Sequence, residues 1–250
     1  MSNSAWKNLG RYLRETQLIG SIHSTLYWDQ NTTMPPSGSM WRGEQLSLLA
    51  RLLHARQSSN EFEELLLAAK EESLINEKDG TNVEGALDLE KQRNIELLEL
   101  DFSRQKKLDS ELVVQLAWAQ AEGYNLWQQA KANNDFKCFA PALKKLIDLR
   151  KKQANQLDED RSCWETLAQP FEPDLTILRM KELFAPLRRR LPEILDKVRS
   201  SKKYCRVDWD LEESAQQSLC DLLLKNWGLD PFNTAVARSP HPFSITLGPE

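Results

Sequence analysis

The amino-acid sequence predicts an all-α protein, and three observations support this fold class. Leucine outnumbers valine and isoleucine together by roughly three to one, and side chains without β-branching lose little rotamer freedom in a helix. Glycine and proline are scarce, with 9 and 11 in 250 residues. Apolar residues also recur at spacings of three and four along most of the chain, which is the period of an amphipathic helix.

The first two helices are predicted from apolar residues that share one helix face. In the first helix, which runs to about Trp28, these residues are Trp6, Leu9, Leu13, Ile19, Ile22 and Leu26. The run Met34-Pro35-Pro36-Ser37-Gly38 ends this helix, because proline lacks an N–H and keeps the preceding residue out of helical geometry. In the second helix, which ends near Gln57, they are Leu46, Leu49 and Leu53.

Three further helices are predicted before residue 133. Ser58 or Ser59 is expected to cap the first of them, and the stretch from Asn76 to Asn82 predicts a turn. The next helix is expected from about Val83 to Lys107. The last has apolar positions alternately four and three residues apart, as in a helix paired with a neighbour. Those positions are Leu112, Leu116, Ala119, Gly123 and Leu126.

Three more helices are predicted after Asn133-Asn134-Asp135. The first contains the apolar residues Leu143, Leu146, Ile147 and Ala154. Asp174 is expected to cap the second, which should kink or divide at its two internal prolines, Pro186 and Pro192. Asp210 with Glu213 three residues later forms a capping box that predicts the start of the third.

The end of the sequence predicts an irregular tail. From residue 228 to residue 250, glycine and proline interrupt every short apolar run. We expect residues 239–250 to be poorly ordered or held only by contacts with another chain, because prolines remove backbone donors there. No interdomain linker is evident, so we predict one all-helical unit over residues 1–250.

Charge and hydropathy indicate which classes of partner the chain does not bind. The net charge is −4, and the one basic run, Arg188-Arg189-Arg190, lies in a helix that also carries acidic residues, so we expect no nucleic-acid partner. No apolar run approaches the roughly 20 residues that span a bilayer, and no signal peptide is evident. The cysteines Cys138, Cys163, Cys205 and Cys220 form no Cys-x-x-Cys pair. We therefore expect a cytoplasmic protein without a membrane partner.

Residues that could hold a catalytic metal are few. Zinc hydrolases commonly use His-Glu-x-x-His, which sets two imidazoles on one helix face. This chain has His23, His54 and His241, and no two of them are four apart. We therefore predict neither metal ligands nor catalytic residues in this chain. His23 and His54 are expected on helix surfaces or in satisfied hydrogen bonds, with no role assigned.

Two stretches of the sequence resemble the carboxypeptidase Taq family of zinc metallocarboxypeptidases. The first runs from Leu26 to Leu46 and carries Trp-Asp-Gln, then Met-Pro, then an Arg three residues before a Gln. The second is His-Pro-Phe, followed by Gly248-Pro249-Glu250. The signature residues that match are Trp28, Asp29, Gln30, Met34, Pro35, Arg42 and Gln45. The resemblance implies that His241, Pro242 and Phe243 border the substrate cleft.

The resemblance further implies an all-α fold with a two-sided cleft, usually in a homodimer. In the family, zinc polarises the scissile carbonyl and activates a water that releases C-terminal residues from peptides. The motifs Asp-x-Arg-x-Thr and His-Glu-x-x-His, which follow later in the family, have no counterpart in these 250 residues. We therefore expect the chain to supply one wall of the cleft, to be inactive alone and to self-associate.

Two alternatives remain open at this point. The chain could be a non-enzymatic helical module that binds peptides or a partner, or one subunit of a split carboxypeptidase. The signature residues also have ordinary structural interpretations. Trp28 and Trp41 are more often core aromatic residues than substrate contacts. Asp29, expected just past the first helix, could simply organise the turn before Pro35.

Overall fold

The computed structural model describes residues 4–78, 85–201 and 210–248, without the side chains of 75–78 and 85–88. These ranges contain helices and no strand, which confirms the all-α prediction. A single 3-10 turn, Pro36–Gly38, lies between the first two helices. The helices are α1 Ala5–Thr32, α2 Ser39–Gln57, α3 Asn60–Lys78, α4 Gly85–Lys107, α5 Ser110–Asn133, α6 Phe136–Leu157, α7 Cys163–Ala168, α8 Ile177–Ser200 and α9 Glu213–Asn226.

The contacts between residues group the chain into two compact units. The first contains Met1–Thr166 together with Arg238–Pro249, and the second contains Leu167–Ala237. Helices α1 to α6 belong to the first unit, and α8 and α9 belong to the second. The single unit expected over residues 1–250 remains a prediction.

Helices α1 and α2 form an antiparallel pair. Tyr12, near the start of α1, donates its hydroxyl proton to the Arg56 carbonyl at the end of α2, across 2.9 Å. At the other end of the pair, Arg42 contacts Asp29. The Tyr12 hydroxyl therefore satisfies one of the carbonyls that the end of a helix leaves without an intrahelical partner.

The described core of the first unit includes two clusters of buried side chains. Aromatic and aliphatic residues of α1, α3 and α4 form the larger cluster, which consists of Leu9, Tyr12, Phe62, Leu66, Ala69, Ile95 and Phe102. Residues of α5 and α6 form the smaller one, which consists of Leu112, Leu116, Ala119 and Leu149. Four of the five positions predicted for α5 are buried, and the fifth, Leu126, is half-buried.

The boundaries of several predicted helices need correction. Helix α1 continues four residues beyond Trp28, so Asp29 lies inside its last turn. Ser59 caps α3, since its hydroxyl accepts the Phe62 N–H across 3.1 Å. Helix α3 then continues to Lys78, so the turn predicted from Asn76 is wrong for its first three residues. The rest of that turn, Val83 and Cys205 lie outside the described residues.

In the second unit, the predicted caps are also wrong. Thr176, not Asp174, caps α8, because its hydroxyl accepts the Arg179 N–H across 3.1 Å. Asp174 instead has a positive φ of 65° before the helix begins. Helix α9 begins at Glu213 with Glu212 at the N-cap position, so Asp210 is not its cap.

Helix α8 remains undivided at Pro186 and Pro192, contrary to one of the two outcomes expected. Each proline removes one helical donor and leaves the carbonyl four residues earlier without its partner. No residue of α8 is buried, so water can reach these carbonyls. The short helix α7 was not predicted from the sequence.

Candidate functional site

Arg42 joins the end of α1 to the start of α2. Its Nη2 donates to Oδ2 of Asp29 across 2.6 Å, and its Nη1 donates to the carbonyl of Leu26. Its Nε donates to Oε1 of Gln45, one turn further along α2, across 3.0 Å. The planar guanidinium thus uses three of its nitrogens on three partners, a geometry that lysine cannot reproduce.

Asp29 is held as a carboxylate by the groups around it. The Thr33 hydroxyl donates to Oδ1 across 2.5 Å, while Arg42 donates to Oδ2. The hydrogen bond from Thr33, followed by that from Arg42, lowers the pKa of Asp29 below its ordinary value. One oxygen therefore binds the residue that follows α1 and the other joins α1 to α2, so Asp29 is a structural anion in this arrangement.

The other signature residues of α1 and the following turn also make structural contacts. Gln30 is buried, and its Nε2 lies 3.5 Å from the carbonyl of Ala121 on α5. Trp28 is half-buried, and its carbonyl accepts the Thr32 hydroxyl. The Met34 N–H donates to the Asp29 carbonyl across 2.9 Å, and the Gly38 N–H donates to that of Pro35. Trp41 does not fit the core interpretation, because it is 68% exposed.

Gly43 allows α2 to approach α5 closely. A Cβ atom at this position would lie 3.0 Å from a ring carbon of Trp118 and 3.2 Å from another. Real Cβ atoms avoid such distances, so the indole and the bare helix backbone pack directly against each other. The glycine between Arg42 and Glu44 is therefore required by packing rather than by its own backbone conformation.

The His-Pro-Phe segment lies against α1 and α5 of the same chain. The Phe243 ring meets the Tyr27 ring edge to face, with centroids 5.8 Å apart. The His241 ring meets Trp127 of α5 with centroids 6.3 Å apart. Lys131 Nζ donates to the Pro240 carbonyl across 3.0 Å and lies 5.0 Å from the centroid of Trp127. We expected this tail to be poorly ordered or held only by another chain. Instead, residues of its own chain contact the His-Pro-Phe segment.

Among the described residues, His241 makes one side-chain hydrogen bond, and this bond indicates its tautomer. Nδ1 lies 2.9 Å from the carbonyl oxygen of Pro242, and a carbonyl oxygen only accepts. Nδ1 therefore carries the proton, which leaves Nε2 of the neutral ring as an acceptor. Because His241 is exposed, this nitrogen is open to a ligand.

Three residues of α5 that contribute to this segment were missed in the sequence. Tyr124 packs on Trp127 with centroids 5.6 Å apart, and burial raises the pKa of its phenol. The Ser239 and Gln128 side chains lie near its buried hydroxyl and partly offset this rise. Tyr124, Trp127 and Lys131 are spaced three and four residues apart, which places them on one face of the helix. The spacing of this tyrosine, tryptophan and lysine was the sequence signal that could have identified them.

The remaining histidines have separate structural surroundings. His54 is buried on α2, and its Nε2 lies 3.0 Å from the carbonyl of Gln105 at the end of α4. His23 is half-buried on α1, and burial lowers its pKa. Across the described ranges, no group of three or more His, Cys, Asp or Glu side chains could hold a metal ion. The described residues therefore do not fit a zinc centre.

In this all-helical chain, Tyr27, which directly precedes the Trp-Asp-Gln run, contacts the His-Pro-Phe segment. The family model described as carboxypeptidase Taq (M32) metallopeptidase matches residues 8–250. The chain belongs to this family.

The relatives are longer than this chain. Thermostable carboxypeptidase 1 of Thermus thermophilus is 27% identical over 260 residues, which cover 98% of this chain and 49% of that protein. The M32 carboxypeptidase structure from Deinococcus radiodurans matches with a TM-score of 0.75 at 25% identity, covering 98% and 48%. The BsuCP crystal structure matches with a TM-score of 0.86 at 20% identity over 98% and 48%. The chain thus spans about half the length of the relatives it matches.

Proposed function

We propose that this chain forms one wall of the peptide-binding cleft of a metallocarboxypeptidase. One observation carries the proposal: Phe243 contacts Tyr27, which directly precedes Trp28. The two family motifs, which are more than 200 positions apart, are therefore neighbours in the fold. The family match over nearly the whole chain supports the same function.

In this proposal, His241, Pro242 and Phe243 contact the peptide substrate. The acceptor Nε2 of His241 binds a peptide N–H, and the exposed position leaves room for an extended chain beside it. Pro240 and Pro242 hold the segment extended at low entropic cost, since proline restricts the unfolded chain as well. Zinc and the residues that activate water for peptide hydrolysis belong to the rest of the family protein.

Peptide binding tests this role directly. We expect a fluorescent peptide with a free C-terminus to bind the chain, and His241→Ala to weaken binding by about threefold to tenfold, the usual effect of one hydrogen bond. Phe171→Ala is a matched control, because Phe171 is 83% exposed and lies in the second unit. Equal affinity of the wild type and His241→Ala would contradict the assignment.

Catalysis requires a separate test. We expect the purified chain to retain no stoichiometric zinc after dialysis and to release no C-terminal amino acids, since the described residues hold no ligand cluster. Elemental analysis and an amino-acid release assay measure both. Turnover that a chelator abolishes would show that this chain contains the catalytic machinery.

A partner-binding role is the second candidate, and α8 favours it. Its apolar residues remain exposed within the described part of the chain, with Leu191 and Leu195 each at 50% and Val198 at 55%. An amphipathic helix gains most of its stability by burying such a stripe. Two partners fit this stripe: a second copy of this chain, as in a homodimer, and the other subunit of a split carboxypeptidase.

Sedimentation velocity over a concentration series distinguishes these cases. If the chain self-associates and Leu191→Glu abolishes this association, the result favours the homodimer. A monomer at all concentrations favours a different polypeptide as the partner that covers the stripe. We also propose a cytoplasmic location without a nucleic-acid partner, on the basis of charge and cysteine pattern. None of the described helices combines the length and hydropathy needed to cross a membrane.

A further inference from the structure

A groove of about 400 Å³ lies between α2, α5 and α6. Its volume falls within the usual range for small-ligand sites. Its apolar wall consists of Leu48, Val114, Trp118 and Leu149. Trp118 and Trp127 are nine residues apart on α5, and at about 100° per residue they point to opposite sides of that helix. The groove and the His-Pro-Phe segment therefore lie on different sides of α5.

Two opposite charges on α2 line this groove. Glu44 and Arg51 are seven residues apart, which corresponds to about 10.5 Å along the helix axis. Within the described ranges, neither side chain takes part in an ion pair or hydrogen bond. The third charged residue, Lys145, already pairs with Glu122, with its Nζ 3.1 Å from Oε2. The groove therefore carries an unpaired anion and an unpaired cation at separate points.

Ser47 provides a second, independent indication of a ligand. It lies three residues after Glu44 and four before Arg51, and so on the same helix face. Ser47 is only 8% exposed, and its hydroxyl has no hydrogen-bond partner among the described residues. A buried hydroxyl without a partner is unfavourable. If the Ser47 side chain rotates about χ1, its hydroxyl can hydrogen-bond to a polar group of a bound molecule, and this removes the cost.

We propose that this groove binds a short zwitterionic peptide of about three residues with an apolar side chain. An extended residue spans about 3.3–3.6 Å, so three residues match the axial separation of Glu44 and Arg51. The peptide amine pairs with Glu44, its carboxylate pairs with Arg51, and its apolar side chain packs on Trp118. Its backbone hydrogen-bonds to Ser47. This site goes beyond the proposed function and does not depend on it.

The tripeptide Ala-Phe-Ala with free termini is a suitable probe. In ¹H–¹⁵N NMR spectra of the full 250-residue chain, we expect saturable shifts of the Trp118 indole N–H signal, assigned from its loss in Trp118→Phe. The N-acetylated, C-amidated peptide should bind about a hundredfold more weakly, because it lacks both charges. Equal affinity for the two peptides would overturn the proposal.

Variants separate this site from non-specific binding. Arg51→Gln and Glu44→Gln should each weaken binding by about tenfold, the loss expected for one charge-assisted contact. Gln115 lines the groove and is exposed, so Gln115→Trp should fill it and abolish binding without disturbing the core. Lys151→Gln, on an exposed position of α6 outside the groove, is the control and should bind normally.

Two outcomes would reject the site. Unchanged peptide affinity in Gln115→Trp, with a native circular dichroism spectrum, would show that the peptide binds elsewhere. A Trp118 signal that shifts with protein concentration in the absence of peptide would show that a second copy of the chain covers the groove.

Discussion

The guanidinium of Arg42 and the carboxylate of Asp29 meet across 2.6 Å and close the turn between α1 and α2. The Arg42 side chain is only 11% exposed, whereas the Asp29 side chain is 35% exposed. The arginine is thus the buried member, and it also donates to Gln45 and to the Leu26 carbonyl. These family-signature residues therefore stabilise a helix junction in this chain.

Replacing Arg42 should destabilise the fold strongly. Arg42→Ala removes three hydrogen bonds at a largely buried position, so we expect the free energy of unfolding to fall by about 2–4 kcal/mol. Arg42→Lys should recover only a small part, because an ammonium group lacks the planar fork. Urea unfolding measures both variants. Arg93→Ala, which removes an exposed pair with Glu96, should change stability by less than about 0.5 kcal/mol.

The same junction should respond to acid. The pKa of Asp29 is lowered in the folded chain, so its contribution to stability is complete above the unfolded value of about 3.9. This contribution is lost as the pH falls through the lower, folded pKa. We therefore expect the stability difference between the wild type and Asp29→Asn to be constant above about pH 5 and to shrink below about pH 4. A difference that grows on acidification would contradict the sign.

Glycine positions in the helices should differ in their response to alanine. Gly43→Ala brings a Cβ within 3.0 Å of Trp118, and the overpacking cost of about 1–3 kcal/mol should exceed the gain in helix propensity of about 1 kcal/mol. Gly10 and Gly20 have nothing within 4 Å of an added Cβ. Alanine at either position should therefore stabilise the chain by up to about 1 kcal/mol. Thermal unfolding of the three variants tests this contrast.

Trp127 should control the accessibility of the His-Pro-Phe segment. Trp127→Leu removes the ring contact with His241 and the cation–π contact with Lys131. Such contacts contribute about 0.5–1.5 kcal/mol, so we expect chymotrypsin to cleave after Phe243 about threefold to tenfold faster. Trp41→Leu, at a position 68% exposed, is the control and should cleave at the wild-type rate. Equal rates in both variants would show that Trp127 does not hold the tail.

Local features of this fold were predictable because they depend on neighbouring residues. The run of prolines after Met34 ends α1, and the periodic leucines of α5 predicted the face that it buries. N-cap residues were less predictable, because several side chains near the start of a helix are suitable caps. Asp174 and Thr176 are both good caps by type, and the backbone places only Thr176 at the start of α8.

The candidate site depends on contacts that local pattern cannot supply. Lys131 and Pro240 are 109 residues apart in sequence, and nothing near either residue indicates that they meet. The family resemblance identified His241, Pro242 and Phe243, but not the residues of α5 against which they lie. Likewise, the approach of Trp118 to Gly43 depends on how α2 and α5 pack, and the sequence marked Gly43 only as part of a motif.

The antiparallel pairing of α1 and α2 also bears on the order in which the chain folds. Two of the hydrogen bonds that connect it, Arg42 to Asp29 and Tyr12 to Arg56, span 13 and 44 residues. Closing such short loops costs little chain entropy, so contacts of this kind form early. During synthesis, α1 and α2 leave the ribosome before α5, so we expect this hairpin to form first. The nascent chain can therefore present a preformed α2 surface, with Gly43 already in place, on which Trp118 docks later.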